Sequence, residues 1–396
     1  MAGWKQYTLG DLCKFKYGQM PRESDLCEYG YPVFSGYRIV GYANAYHYED
    51  PEIIIVARGV GGTGDVKMSP HKCFLTNLSI VALVVSSEVD KKFLYYRLAG
   101  PKLWELRTGS AQAQITIDRL QGYELKLPPL PTQRKIAGIL SAYDGLIENN
   151  TRRIKILEEM AQRIYYEWFV HFRFPGHEKV RMVESEMGMI PEGWQVIELK
   201  EFGEILTGKT PSKTRPEYYG NDVPFIKTPD MHSNMFCIIT GEYLSLLGAE
   251  SQSTKTLPPN SLCVSCIGTV GVVSITAVPA QTNQQINSIK LKEDFFREFI
   301  YFALIDLKEL IELHGSTGAT MTNLSKGKFE TLEVITPYKN LLVSYHDITK
   351  SIFDAIKNLQ YKNLNLRQTR DLLLPKLISG QLDVSDLDID TGALDA

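Results

Sequence analysis

The amino-acid sequence predicts an α+β fold made of two similar mixed α/β globular units and two long helices that pair as an antiparallel coiled coil, with a pseudo-twofold internal repeat. Three observations predict this fold class. The chain has 396 residues, more than a typical single domain. Its motifs recur once along the sequence, and each half ends in a long heptad pattern.

Composition excludes several classes of protein. Apolar residues make up 44% of the chain and charged residues 22%, which is ordinary for a folded protein and excludes wholesale disorder. The longest apolar runs fall far short of the roughly 20 residues that a membrane span needs. The first residues lack the apolar core of a signal peptide, so we expect a cytoplasmic protein.

The internal repeat begins with Leu9, Gly18 and Pro21, which match Leu199, Gly208 and Pro211 at one constant offset. A second constant offset aligns the later anchors of the two halves: Thr76 with Thr282, Phe93 with Phe299, Gly109 with Gly315, Thr116 with Thr322, Tyr123 with Phe329 and Pro131 with Pro337. The repeat predicts two globular units of one fold, residues 1–131 and 193–337. Short apolar strands such as Ile53–Val56 and Ser261–Cys266 and amphipathic helices at Lys92–Trp104 and Arg297–Leu313 are expected in them.

Each globular unit is followed by a long predicted helix, at residues 132–175 and 338–382. Apolar residues alternate at spacings of three and four through both segments, which is the signature of a coiled-coil seam. The seam positions are Ile136, Leu140, Tyr143, Ile147, Asn150, Ile154, Leu157, Ala161, Ile164 and Trp168, and then Leu342, Tyr345, Thr349, Ile352, Ile356, Leu359, Asn363, Leu366, Arg370, Leu373 and Leu377. Antiparallel pairing would place the two units at opposite ends, and we expect Asn150 and Asn363 to lie close together and fix the register.

The remaining segments are a linker at residues 176–192 and an acidic tail at residues 383–396. The tail carries five aspartates and is expected to be solvated. The net charge of the chain is −3, but Lys and Arg outnumber Asp and Glu once the tail is set aside. The charge therefore permits polyanion binding without requiring it.

Two short motifs suggest chemistry and are better explained structurally. Gly203–Thr210 satisfies the phosphate-loop pattern, but polar residues precede it and Pro211 and Pro216 obstruct the helix that must follow. Cys263 and Cys266 form one CxxC without a second ligand pair, so we interpret them as small strand residues. No metalloprotease, hydrolase or amino-methyltransferase signature is present in the sequence.

The whole layout resembles the specificity subunit of type I restriction-modification systems. Five phrases in this order carry the resemblance: Leu127-Pro-Pro-Leu-Pro-Thr-Gln-Arg134, Phe174-Pro-Gly-His177, Ile190-Pro-Glu-Gly-Trp194, Thr207-Gly-Lys-Thr-Pro211 and Leu377-Ile-Ser-Gly-Gln-Leu382. The second half departs from the pattern at Thr336-Pro-Tyr-Lys-Asn340, where the first phrase is degraded.

The resemblance implies that each globular unit is a target recognition domain reading one half of a bipartite, asymmetric site in double-stranded DNA. The paired helices would set the spacer and dock two adenine methyltransferase (modification) subunits, with restriction or translocase subunits beyond them. This chain would then be non-catalytic and bind no cofactor, and S-adenosylmethionine, ATP and Mg²⁺ would belong to partner subunits.

Reading DNA requires polar side chains that reach base edges and Lys or Arg side chains that reach phosphates. We expect the following residues to make these contacts. In the first half, Gln112, Gln114 and Thr116 lie on one polar loop, and Arg58 and Lys67 bracket a glycine-rich loop. The second half offers the basic residues Lys209, Lys213, Arg215 and Lys227 and the loop residues Thr317, Thr320 and Thr322. Two alternatives stay open at this point: a single-chain methyltransferase or nuclease with a duplicated recognition region, and a scaffold without a DNA role.

Overall fold

Runs of β-branched and aromatic residues, such as Ile53–Val56, form the strands of the structure. The structure is a computed structural model that describes residues 3–36, 38–59, 62–100, 103–109, 113–232, 234–315 and 323–389. The chain divides into a first unit, Met1–Ile147 with Leu366–Ala396, and a second unit, Glu148–Asn365. Both boundaries fall inside the long helices, so each unit contains part of both.

The described elements comprise short helices within the two units and two long helices. The helices are α1 Leu9–Leu12, α2 Lys91–Ala99, α3 Ile117–Gln121, α4 Leu130–Tyr165, α5 Thr228–Met231, α6 Leu246–Glu250, α7 Arg297–Asp306, α8 Lys308–Gly315, α9 Lys326–Glu330 and α10 Lys339–Ile378. The strands of the first unit are β1 Lys5–Thr8, β2 Cys13–Tyr17, β3 Leu26–Cys27, β4 Tyr31–Ser35, β5 Arg38–Ala43, β6 Ile53–Val56, β7 Val66–Met68, β8 Phe74–Leu75, β9 Ser79–Val84 and β10 Glu124–Leu127. Those of the second unit are β11 Met182–Ser185, β12 Gly188–Pro191, β13 Gln195–Glu198, β14 Gly203–Thr207, β15 Tyr219–Ile226, β16 Phe236–Cys237, β17 Tyr243–Leu244, β18 Leu262–Ser265, β19 Val273–Thr276, β20 Gln281–Thr282, β21 Ile286–Leu291 and β22 Glu333–Thr336.

The two units share one sheet topology. In the first unit, an antiparallel sheet has the order β2-β9-β6-β7, and a second sheet has the order β3-β5-β4-β8. In the second unit, the order β14-β21-β18-β19-β16 contains the same four-strand core, and β17-β15-β20 forms the second sheet. A two-stranded ribbon, β1 with β10 or β13 with β22, leads into each long helix. This correspondence confirms the predicted repeat of a mixed α/β unit.

The long helices are shorter at their C-terminal ends than the sequence pattern suggests. Helix α4 ends at Tyr165 and continues through one π-helical turn, Tyr166–Val170, after which Phe172 adopts a left-handed conformation (φ 56°) that interrupts the helix. Helix α10 ends at Ile378, and Gly380 adopts a left-handed conformation (φ 74°) that closes the helix. The linker between residues 176 and 192 is not irregular throughout, since it contains the hairpin β11–β12.

The two long helices pair antiparallel within each unit. In the first unit, the Arg370 guanidinium binds the Asp144 carboxylate (Nη1 to Oδ1, 2.5 Å). In the second unit, Asn150 on α4 lies against Asn363 on α10. Residue numbers therefore rise along one helix as they fall along the other, which confirms the predicted pairing. Every predicted seam residue is buried or half-buried, as a heptad seam requires.

Residues 383–389 do not form a solvated tail, which corrects the expectation from their charge. Val384 is 1% exposed and belongs to the hydrophobic core of the first unit, where Ile389 also packs. The backbone carbonyl of Ser385 accepts a hydrogen bond from the Lys135 ammonium (2.6 Å). Apolar residues between the aspartates anchor this segment, and residues 390–396 lie outside the described part of the chain.

The alignment of the later anchors at one offset is wrong, although the repeat itself is real. The Lys209 amide donates to the Thr282 carbonyl as the Gln19 amide donates to the Leu75 carbonyl, so Thr282 corresponds to Leu75 rather than to Thr76. The pairs beyond α2 shift as well: Ile115 corresponds to Leu324, Thr116 to Ser325, Tyr123 to Leu332 and Pro128 to Pro337. Loops of different length separate the same elements in the two units, and this breaks the constant offset.

The two misleading motifs are structural. Gly203–Thr207 of the phosphate-loop pattern is strand β14, and the next residues continue without helix, so no amide cradle forms there. Cys263 lies in the middle of β18 opposite Ser288, and Cys266 follows the same strand. Burial raises the pKa of the Cys263 thiol to about 12 and that of the Cys266 thiol to about 11.

Candidate functional site

The first unit brings Arg58 and Gln114 together, two residues that the sequence predicts to contact DNA. Arg58 follows the C-terminal end of β6, and its backbone forms an antiparallel bridge with Gln114. The Ile115 amide fixes this register by donating to the Ala57 carbonyl (2.8 Å). Because directly opposed residues of an antiparallel bridge project to the same side, the guanidinium and the carboxamide extend from one face. Both side chains are exposed.

These two residues line a polar cleft of about 320 Å³, together with Tyr17, Ala57, Asn77 and Ile115. Tyr17 ends strand β2 and is 45% exposed, so its ring is open to an incoming partner. The next residue, Gly18, packs so tightly that a Cβ there would lie 2.3 Å from the Thr76 carbonyl oxygen. Sequence reasoning missed Tyr17 and Asn77, because only the strand pairing of β2 with β9 brings them to the end of β6.

The glycine-rich turn beside the cleft is held by side chains. The Thr63 hydroxyl donates to the Gly59 and Ala113 carbonyls, each at 3.1 Å. The Arg107 Nε donates to the Thr63 carbonyl (2.7 Å), and its guanidinium lies 4.8 Å from the centre of the Trp104 ring. Trp104 is 51% exposed. Trp104 and Arg107 therefore form an aromatic and basic surface beside the turn. Neither Trp104 nor Arg107 was predicted from the sequence, because only the fold brings Arg107 to the Thr63 carbonyl.

The other predicted residues of the first unit lie apart from the cleft lining. Lys67 is half-buried on β7, where it pairs with Ile54. Thr116 caps the N-terminus of α3, though its hydroxyl makes no capping hydrogen bond. Gln112 lies outside the described residues, as do Thr317, Thr320 and Thr322 of the second unit.

The second unit places a different set of side chains on the same backbone positions. The Leu324 amide donates to the Cys266 carbonyl (2.9 Å), and Ile267 forms an antiparallel bridge with Asn323. Ile267 and Asn323 therefore occupy the positions of Arg58 and Gln114. By the strand register and the Gln19 and Lys209 hydrogen bonds, Thr207 replaces Tyr17 and Gln284 replaces Asn77. Asn323 was missed because the constant offset assigned Gln114 a different partner.

The four basic residues predicted for the second unit lie after the ends of β14 and β15 rather than on the bridge of Ile267 with Asn323. Lys209, Lys213 and Arg215 are exposed in the segment between β14 and β15. The Arg215 guanidinium donates to the Tyr218 hydroxyl (2.7 Å) and packs over that ring. Lys227 forms an ion pair with Glu242, which neutralises its charge locally.

Two absences among the described residues bear on the class of site. Within the described part of the chain, no group of three or more His, Cys, Asp and Glu side chains is arranged to hold a metal ion. In the same part of the chain, every helix is too short or too polar to cross a bilayer. At the bridge and the positions beside it, both units carry uncharged amide, hydroxyl and apolar side chains. The first unit adds one guanidinium, that of Arg58.

Comparison with known proteins agrees with this layout. The sequence profile of the type I restriction modification DNA specificity domain matches residues 1–159 and 191–371. The specificity subunit of the type I restriction enzyme HindI of Haemophilus influenzae is 33% identical, over 76% of this chain and 76% of that protein. The MjaIX specificity subunit of Methanocaldococcus jannaschii is 27% identical, over 85% of this chain and 78% of that protein.

A solved structure shows the same fold. The S subunit of a type I restriction-modification system from M. genitalium superimposes with a TM-score of 0.65 at 18% identity, covering 95% of this chain and 96% of that one. The two profile matches coincide with the two repeats of the sequence and together span most of it. The chain therefore belongs to the family of type I restriction-modification DNA specificity subunits.

Proposed function

We propose that this chain is the non-catalytic DNA-reading subunit of a type I restriction-modification complex. Each unit acts as a target recognition domain and reads one half of a bipartite, asymmetric site in double-stranded DNA. The observation that supports this is the repetition of one bridge, Arg58 with Gln114 and Ile267 with Asn323, which carries different side chains in the two units; Ile267 is half-buried and the other three are exposed. A reader of two unlike half-sites needs one scaffold with two sets of side chains at the reading position.

The paired helices α4 and α10 would act as the ruler that sets the unspecified spacer between the half-sites. Their seam is long and largely apolar, and it contains the buried amide pair of Asn150 and Asn363, which suits a spacer of fixed register. Two modification subunits would dock on this helical part and methylate adenine with S-adenosylmethionine. Restriction or translocase subunits with ATP and Mg²⁺ would complete the complex, which would work in the cytoplasm.

The test compares the chain alone with the chain and its modification subunit. Both preparations receive S-adenosylmethionine and genomic DNA, and the methylated adenines are mapped by sequencing. We expect no methylation by the chain alone and a two-part motif when the modification subunit is present. Methyl transfer or DNA cleavage by the chain alone would favour the single-chain enzyme. Absence of DNA binding in a mobility-shift assay of the complex would favour a scaffold.

A further inference from the structure

We infer that the bridged pairs are the base-reading residues of the two units and that they prescribe different bases. Arg58 and Gln114 would read a guanine and a neighbouring adenine in one half-site. Ile267 and Asn323 would read a thymine methyl group and an adenine in the other. This inference rests on the proposed function and adds which residues and which base classes carry the specificity.

The geometry of the bridge suits adjacent base pairs. Side chains directly opposed across an antiparallel bridge have Cβ atoms about 5 Å apart and point the same way. Base pairs stack at about 3.4 Å along one strand, so two side chains at this spacing reach consecutive steps. Arg58 and Gln114 are both exposed, and neither side chain has a hydrogen-bonding or ionic partner among the described residues. Their polar groups are therefore available to a base edge.

The chemistry of each side chain selects the base. A guanidinium donates two hydrogen bonds to guanine O6 and N7, and a carboxamide pairs in the same bidentate way with adenine N6 and N7. Ile267 offers only apolar surface, which suits the thymine methyl group, while Asn323 repeats the carboxamide of Gln114. The first half-site would thus contain a G·C pair at the step where the second has only A·T pairs.

The residues next to the bridge also differ between the two units. In the first unit, Tyr17 and Asn77 line the cleft and leave it polar and open. In the second unit, the Thr207 hydroxyl donates to Asn287 Oδ1 (2.7 Å), and the Thr210 hydroxyl donates to Gln284 Oε1 (2.6 Å). The Thr207 hydroxyl and the Gln284 side-chain carbonyl oxygen are therefore engaged within the protein. Asn323 is the exposed carboxamide on the bridge itself.

The experiment uses the chain with its modification subunit and maps the methylated motif across a genome. The variants are Arg58→Ile, which gives the first unit the residue of the second, Gln114→Ala, and Asn323→Ala. Arg119→Ile is the matched control, since Arg119 is exposed on α3 outside the cleft and loses the same charge. We expect Arg58→Ile to lose about 5- to 150-fold discrimination at one G·C position of one half-site, with the other half-site unchanged.

Gln114→Ala and Asn323→Ala test the inference independently if Arg58→Ile folds poorly. Gln114→Ala should relax an adenine beside that position, and Asn323→Ala should relax an adenine in the other half-site only. An unchanged motif with uniformly weaker binding would make Arg58 a phosphate contact and overturn the inference. Changes in both half-sites from Arg58→Ile would overturn it too. If the unaltered complex methylated without any sequence preference, the proposed function itself would fail.

Discussion

The side-chain amide of Asn150 donates a hydrogen bond of 3.0 Å to Asn363 Oδ1, joining α4 to α10 within the second unit. The two residues are 8% and 3% exposed. Asn363 Nδ2 in turn donates to the Thr151 hydroxyl (3.2 Å). This contact confirms the prediction that the two seam asparagines lie close together. A buried amide pair in an apolar seam is satisfied in only one register, so we expect the pair to fix the register.

Replacing one asparagine should destabilise the helix pair more than replacing both. Asn150→Leu leaves the Asn363 carbonyl oxygen buried without its donor, and we expect a loss of about 1–3 kcal/mol in the free energy of unfolding. The double variant with Asn363→Leu should recover most of it. Urea unfolding measures both. Asn149→Leu, at an exposed neighbouring asparagine, is the control and should change stability by at most about 0.5 kcal/mol. Equal losses for Asn149→Leu and Asn150→Leu would contradict the role of the pair.

Replacing the buried Glu298 should lower the free energy of unfolding more than replacing one of the two seam asparagines. The Glu298 carboxylate is fully buried and accepts from Arg297 Nε (2.8 Å), and its other oxygen lies 2.6 Å from His346 Nδ1 on α10. Glu298→Gln removes the buried countercharge of the Arg297 guanidinium and leaves it only the partly exposed Asp354 carboxylate at 3.6 Å, so we expect a loss of about 3 kcal/mol in the free energy of unfolding.

The matched control for this change is Glu330→Gln, which removes the ion pair of half-buried Glu330 with exposed Lys326 at the protein surface and should cost at most about 1 kcal/mol. Tryptophan fluorescence can follow the transition, since Trp168 and Trp194 both belong to the core of the second unit. Similar losses for the two variants would show that the Glu298 network contributes no more than a surface pair.

Thiol reactivity should separate one cysteine from the other five. Burial raises the pKa of the Cys13 thiol to about 12 and that of the Cys237 thiol to about 11, in addition to the two cysteines near β18. A raised pKa keeps a thiol protonated and unreactive at pH 8. Cys73 is buried too, with a raised pKa, whereas Cys27 is half-buried.

We therefore expect iodoacetamide at pH 8 to modify Cys27 first, and all six cysteines only after unfolding in urea. Mass spectrometry of time points identifies the modified residue, and Cys27→Ser should remove the fast phase. Rapid modification of Cys263 in the folded protein would contradict the burial that raises its pKa.

A heptad inserted into each long helix tests the ruler. The seam stays in phase, and the helices lengthen by about 10 Å. We expect the methylated motif to keep both half-sites while the spacer grows by about three base pairs. The control inserts a heptad into one helix only, which breaks the pairing and should abolish methylation. An unchanged spacer after the double insertion would refute the ruler.

Sequence patterns predicted the long elements well because their physical signal is repeated many times. The seam of α4 and α10 contains about ten positions in each helix, and the strand Ile53–Val56 is a continuous β-branched run. The docking of residues 383–389 was missed, since five aspartates outweighed the apolar Val384 and Ile389 in the reasoning from charge.

The register of the loops could not be predicted in the same way. Phe329 and Tyr123 are both aromatic and were aligned, but the Tyr123 carbonyl accepts from the Leu9 amide as the Leu332 carbonyl accepts from the Leu199 amide, so Leu332 is the counterpart of Tyr123. Side-chain similarity does not determine which amide meets which carbonyl after a loop of different length. Asn323 could therefore be assigned to the position of Gln114 only from the bridge geometry.

The first unit completes its hydrophobic core with residues from far along the chain. Leu377 and Val384 are fully buried against residues such as Leu140, although more than half of the polypeptide separates them. A nascent chain on the ribosome cannot finish this core until residue 384 has emerged. Translation of the second unit must therefore precede the final closure of the first, and a stop codon shortly after residue 365 would leave the earlier-made unit with an open apolar surface for chaperones and proteases.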